Sequence, residues 1–157
     1  MSEMDFSDNN CFVCGPNNSS GLKINFSINE QDICIAEFTP EADHVGFQDT
    51  THGGIIFSLL DDVMANWLFL KGKPAQTAKC DLRYKNSLHT GETVLLEGHH
   101  LKTKSRMSMM YGVMKTKKEE KVIAECHAKF MIISSWFDVT FCNVYPLKAL
   151  ILLAFEN

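Results

Sequence analysis

The sequence predicts an α+β fold in which a curved antiparallel sheet of about six strands wraps around one long central helix. Three observations lead to it. Apolar residues follow a two-residue period before residue 39, a helical period from Gly53 to about Leu70, and a two-residue period again over residues 75–133. A chain of 157 residues is also the size of one domain, too short for two ordinary enzyme domains and a linker.

The elements follow in order. Residues 1–21 form a lead-in that carries Cys11-x-x-Cys14 and ends in the turn-rich Gly15-Pro16-Asn17-Asn18-Ser19-Ser20-Gly21. The domain proper spans residues 22–133. Leu22, Ile24, Phe26 and Ile28 alternate with polar residues, and a second β-rich run covers residues 33–38, with residues 29–32 as the turn of a hairpin. After a loop over residues 39–51, Ile56, Leu60, Val63 and Trp67 recur at helical spacing, flanked by Ile55, Leu59, Met64 and Leu68. That helix is apolar enough to expect sheet around it. Lys71-Gly72-Lys73-Pro74 stops it with a glycine and a breaker. Four strands follow, at residues 75–84, 93–104, 106–117 and 121–133. In the last, Val122, Ala124, Cys126, Ala128, Phe130 and Ile132 make one apolar face. Residues 134–157 form an apolar tail whose run over residues 147–155 is far below the ~20 residues of a membrane span. It also lacks the basic face of a surface anchor. A helix packed on the domain or on a partner subunit is the expectation there.

Composition excludes several functions. With 45% hydrophobic residues, 22% charged and a net charge of -4, the chain is neither disordered nor a binder of polyanions by bulk charge, so no nucleic-acid partner is expected. The start of the chain has no export signal, which predicts a cytoplasmic, reducing location. There, six cysteines read as thiols, metal ligands or redox groups rather than as a disulfide framework. Cys11 and Cys14 make a single pair where a structural zinc needs four ligands, so no metal and no cofactor are expected, with a metal or thiol switch at this pair as the alternative. Cys34, Cys80 and Cys126 lie in predicted strands, where small buried thiols are ordinary. His99 and His100, adjacent in a strand, must point to opposite faces and cannot chelate together.

The segment from His52 to Asp62 carries the chemistry. Gly53 and Gly54 open the helix, where unpaired N–H groups and the positive end of the dipole can hold an oxyanion. Asp61 and Asp62 interrupt an apolar helix, where an unpaired charge is costly and needs a reason. At 100° per residue, Asp61 falls within about 20° of Gly54, on a stripe with Phe57, Ser58, Met64, Ala65 and Leu68. Asp62 is turned about 100° further, toward Ile55, Ser58 and Asn66. Asp61 therefore faces the glycines' site. It lies roughly 10 Å along the axis from Gly54, too far for one carbonyl to touch both. Two copies with these faces antiparallel would bring the glycines of one opposite the aspartate of the other, so the spacing predicts a homodimer.

These residues carry a resemblance. His52-Gly53-Gly54, an aspartate nine residues after the histidine, and the order strand–strand–helix–four strands resemble hotdog-fold acyl-CoA thioesterases of the phenylacetate-degradation type, the PaaI-like branch. Cys11-Phe12-Val13-Cys14-Gly15-Pro16-Asn17-Asn18, leading into Gly21-Leu22-Lys23, resembles a bacterial branch of the same superfamily. The resemblance covers residues 11–133 and implies a homodimer, or a homotetramer of paired dimers. By position it implies that Asp61 is base or nucleophile, that Gly54 N–H polarises the thioester carbonyl, that His52 positions the helix start, and that Thr77 assists the attacking water. Gly53, Gln48, Phe57, Ser58 and Asp62 are the candidate substrate-binding residues around them. Gly46 stands where related enzymes often carry Asn, with Gln48 nearby as a substitute.

The reaction implied is hydrolysis of an acyl-CoA to free acid and CoA at the dimer interface, with no metal and no membrane span. Lys115, Lys117, Lys118 and Lys121 alternate with Glu119 and Glu120 and read as a solvated turn, with contact to the CoA phosphates as the alternative. The competing function is a non-catalytic hotdog domain that binds an acyl-CoA or another apolar ligand. The Gly46 departure motivates it.

Overall fold

The computed structural model of the chain describes residues 9–133. Its elements are β1 (Ser27–Ile28), β2 (Cys34–Phe38), a single 3₁₀ turn (Ala42–His44), β3 (Val45–Phe47), β4 (Thr50–Thr51), α1 (Gly53–Leu70), β5 (Ala75–Tyr84), β6 (Val94–Lys104), β7 (Met107–Thr116) and β8 (Val122–Ile132). Six strands form one antiparallel sheet in the order β1-β2-β6-β7-β8-β5, and β3 and β4 pair as a separate ribbon. This is the predicted α+β architecture, with α1 lying across the inner face of the sheet.

Helix α1 forms where the period predicts it. Ile56, Leu60, Val63 and Trp67 are buried as expected, and Leu59, Met64 and Leu68 are fully buried beside them. Each such side chain contributes roughly 1.5–3 kcal/mol when removed from water. Met64 and Leu68 thus turn into the core rather than sharing the open face with Asp61. The helix ends in a Schellman cap: Gly72 N–H bonds Phe69 C=O and Lys73 N–H bonds Leu68 C=O, both at 2.9 Å. Gly72 takes the left-handed conformation that this cap requires, at φ +72°. By length and composition α1 could cross a membrane. In this fold it is the core helix, and it carries Asp61 and Asp62 at its middle.

Sheet register explains how the helix sits so close. Cys34 pairs with Gly98, Gly98 with Gly112, and Gly112 with Cys126, so a row of small residues crosses β2, β6, β7 and β8. A Cβ on Gly98 would stand 2.4 Å from the Val63 carbonyl oxygen, inside any allowed contact. The helix backbone therefore rests on this row. Cys34 and Cys126 are buried thiols within it, as the sequence predicts. The two histidines diverge as expected. His100 stacks on Trp67 of the helix at 4.6 Å between ring centroids, whereas His99 lies tilted against Tyr111.

Two stretches differ from the sequence reading. Residues 22–26 are not a sheet strand: Lys23 has φ +54°, and the backbone N–H groups of Leu22 and Ile24 bond to Phe12 and Val13 carbonyls, both at 2.8 Å. The alternation arises because Ile24 and Val13 both enter the core, which also ties the lead-in to the domain. The loop before the helix contains the short β3–β4 ribbon, whose two and three residues are too few to show a period. The tail over residues 134–157 lies outside the described residues.

Candidate active site

The helix start is built by its neighbours. His52 is the N-cap: its Nδ1 accepts the Gly54 N–H at 2.9 Å, which puts the ring proton on Nε2. His52 N–H bonds the His44 carbonyl at 2.8 Å. A Cβ on Gly46 would come within 2.9 Å of His52 Cα, so glycine at this position lets β3 lie directly on the histidine. Tyr84 Oη donates to the Gly53 carbonyl at 2.8 Å, anchoring the first turn to β5. Gly54 N–H, the predicted oxyanion donor, is thus engaged by His52. The adjacent Gly53 N–H has no acceptor among the described residues.

Asp61 sits half-buried on the open side of α1, two turns further on. Its Oδ1 accepts the Thr77 hydroxyl at 2.8 Å and the Cys80 thiol at 3.8 Å. Both donors come from β5, at the edge of the sheet. Strict alternation would place residues 77 and 80 on opposite faces. The register slips between Thr77 and Lys79, so Thr77 lies opposite Phe130 and Cys80 opposite Ala128, both on the inner face. The bulge aims both side chains at Asp61. Burial pushes the Asp61 carboxyl above the usual carboxylate range, and the bonds from Thr77 and Cys80 pull it back in part. Cys80, beside it, is pushed up to about 12, first by burial and then by neighbouring negative charge.

The remaining predicted residues separate into groups. Ser58 Oγ donates to the Gly54 carbonyl at 2.8 Å, within the helix. Phe57 is half-buried, and Gln48 stands exposed beyond β3, in the left-handed conformation at φ +52°. Asp62 faces a different neighbour: its Oδ2 accepts Asn66 Nδ2 at 3.1 Å and lies 3.8 Å from Cys11 Sγ. Burial, and then the charge of Cys11, push Asp62 up to about 7. Cys11 is held down at about 5, first by a hydrogen bond from Cys14, whose own thiol is pushed up by that same bond and by burial. Lys115 pairs with Glu97 at 3.2 Å and Lys117 with Glu37 at 2.9 Å, so both charges are spent within the sheet surface. The sequence reading takes Cys80 for an ordinary strand thiol and foresees neither its contact with Asp61, nor Tyr84 at the helix start, nor the approach of Cys11 to Asp62. The first depends on a bulge and the last on a contact across 51 positions.

The site combines a half-buried carboxylate with one oxygen held and, about two helical turns away, a helix N-terminus whose Gly53 N–H has no acceptor among the described residues. The model of the thioesterase superfamily matches residues 48–123. A solved structure described as a thioesterase superfamily protein is similar with a TM-score of 0.73 and 22% identity, over 78% of this chain and 60% of that one. This chain therefore spans about three fifths of that relative's length. The Escherichia coli PaaI protein from the phenylacetic acid degradation operon has a TM-score of 0.67 and 18% identity, covering 73% of this chain and 82% of its own. A Streptococcus mutans protein solved bound to acetyl-CoA has a TM-score of 0.65 and 17% identity, covering 70% and 88%. At these identities the likeness is one of fold. No curated protein is significantly similar in sequence.

Proposed function

We propose that the chain is a member of the thioesterase superfamily, whose model it matches over residues 48–123 and whose hotdog fold it shares, and that it hydrolyses an acyl-CoA to the free acid and CoA. One observation carries the reading. Asp61, mid-helix, has Oδ1 fixed by Thr77 and Cys80, which leaves Oδ2 to take a proton from water or to attack the thioester itself. As base, Oδ2 accepts the proton of a water whose oxygen adds to the thioester carbonyl. The carbonyl oxygen becomes an oxyanion held by α1 N–H groups, Gly54's being the expected donor and Gly53's its neighbour. Collapse breaks the C–S bond and releases the CoA thiolate, which takes up a proton. His52 must release the Gly54 N–H for that donor to serve, so the imidazole orders the helix start and yields to substrate.

The working unit proposed is a homodimer, with Gly54 of one copy opposite Asp61 of the other. The roughly 10 Å along the helix between these residues supports it. So does β5, a ten-residue strand at the sheet edge, with Tyr84 more than half exposed. Phe57, Ser58 and Gln48 are proposed to line the acyl path.

The test is release of free thiol from a panel of acyl-CoA thioesters by wild type and Asp61→Asn. Loss of turnover by about 10²–10⁴-fold in a folded variant of unchanged mass in solution supports the proposal. The engaged Gly54 N–H favours a second reading, a hotdog domain that binds an acyl-CoA without cleaving it. Tight binding with no thiol released, unchanged in Asp61→Asn, selects that reading.

A further inference from the structure

We propose that Cys11, Cys14 and Asp62 form a binding site for one zinc-class divalent cation, which pins the N-terminal turn to the middle of α1. One ligand atom from each of the three residues lies within 4.8 Å of the other two. The Cys11 Sγ to Asp62 Oδ2 separation is 3.8 Å. A tetrahedron with Zn–S about 2.3 Å and Zn–O about 2.0 Å has edges of about 3.5–3.8 Å, so closing separations by at most about 1.3 Å would seat the ion.

The surroundings are already those of a metal turn. Gly15 N–H bonds the Cys11 carbonyl at 2.9 Å, and Val13 N–H points at Cys11 Sγ at 3.4 Å, the kind of donor that steadies a thiolate ligand. Gly15 is required by that curvature, since a Cβ there would meet Cys11 N at 2.4 Å. Asn9 serves both cysteines: its Oδ1 accepts the Cys11 N–H at 3.0 Å and its Nδ2 reaches Cys14 Sγ at 3.7 Å. Asn66 Nδ2 holds Asp62 from the helix side, through the carboxylate and through the Asp62 carbonyl at 2.9 Å. Each ligand therefore has an outer partner fixing its direction.

Ligand chemistry selects the ion. Two sulfurs with one carboxylate suit a borderline-soft cation and do not suit magnesium or calcium. Three potential ligand atoms, two sulfurs and a carboxylate oxygen, converge in one half-buried place, which suits a single bound cation. Three protein ligands leave the last tetrahedral corner to a small molecule such as water. The sequence alone argued against a metal because a second cysteine pair is missing; the fold supplies Asp62 in its place.

The full-length protein, reduced and then equilibrated with Zn²⁺ or Co²⁺, tests this without reference to turnover. The expected result is about one ion per chain by elemental analysis. Bound Co²⁺ should show a thiolate charge-transfer band and the ligand-field spectrum of a four-coordinate site. Cys14→Ser and Asp62→Ala should each weaken Co²⁺ binding by at least ~100-fold, beyond the 10–100-fold that loss of an outer-shell partner costs. Circular dichroism verifies that each variant folds, and Asp62→Asn replaces Asp62→Ala if the latter does not. The proposal is overturned if the reduced, folded protein binds no stoichiometric ion, or if the Co²⁺ spectrum lacks thiolate ligation. It is equally overturned if folded Asp62→Ala or Asp62→Asn binds as tightly as wild type.

Discussion

Substituting Gly98 and Gly112 separately by alanine tests whether α1 rests on the sheet as described. The two glycines are partners across β6 and β7 and receive the same added methyl group. At Gly98 that methyl would meet the Val63 carbonyl oxygen at 2.4 Å and its carbon at 2.8 Å, both main-chain atoms of α1. Restoring an ordinary contact requires moving the helix backbone by about 1 Å, at the upper end of the roughly 1–3 kcal/mol that overpacking costs. At Gly112 the nearest atoms are Met64 Cγ and Sδ at 3.3 Å, the end of a pliable side chain that can shift by a few tenths of an ångström. That cost should stay below about 1 kcal/mol. At roughly 2–4 °C per kcal/mol for a chain of this size, Gly98→Ala should melt about 6–12 °C lower than wild type and Gly112→Ala within about 4 °C of it. Thermal unfolding followed by circular dichroism, with urea midpoints as a second measure, reads both. Equal melting temperatures, or a larger drop for Gly112→Ala, would refute the close seating of the helix.

Further expectations follow from the site. Because the Asp61 carboxyl is raised in the folded state, the carboxylate form, and with it thioester hydrolysis, should appear at higher pH than for an ordinary carboxylate. Thr77→Val removes a bond that lowers this group, so the acidic limb of the pH–rate profile should move further up; an unmoved limb would separate Thr77 from Asp61. The same shift fixes the sign for stability. The folded state binds the Asp61 proton more tightly than the unfolded one, so this contribution is complete below the unfolded value and is lost as pH rises through the folded value. Asp61→Asn should therefore flatten the fall in denaturant midpoint over that window, and an unaltered slope would contradict it. His52→Ala removes the N-cap acceptor of Gly54 and should lower stability by about 1 kcal/mol in urea titration. No change would mean that the cap bond contributes nothing.

Sequence periodicity was enough for α1 and β5 to β8, because each is long and keeps one face toward a single core. Residues 22–26 misled for the same reason: their alternation is real, but the inward residues meet the core from a segment bonded to the cysteine turn instead of to a strand. The ribbon of β3 and β4 is too short to leave a pattern. At the site, Asp61 and the helix glycines could be found from helical geometry, and Thr77 only through resemblance. Cys80 was hidden because the slip in register after Thr77 reverses the face that alternation assigns to it. Asp62 was visible as a costly charge, but its neighbour Cys11 belongs to a turn whose place is set by tertiary packing. The glycine seat likewise needs the pairing of four strands before it can be seen.

The residues that fix Asp61 belong to a strand supported on one side by β8, at the margin of the sheet. Strand margins open more readily than centres, in local fluctuations far smaller than global unfolding. Each such opening withdraws the Thr77 hydroxyl and the Cys80 thiol from the carboxylate and admits water to it. The proton affinity of Asp61 is in this way a gauge of how often the edge of the sheet breathes. Anything that clamps β5, whether ligand, neighbouring chain or osmolyte, would tune the acidity of this group without touching it.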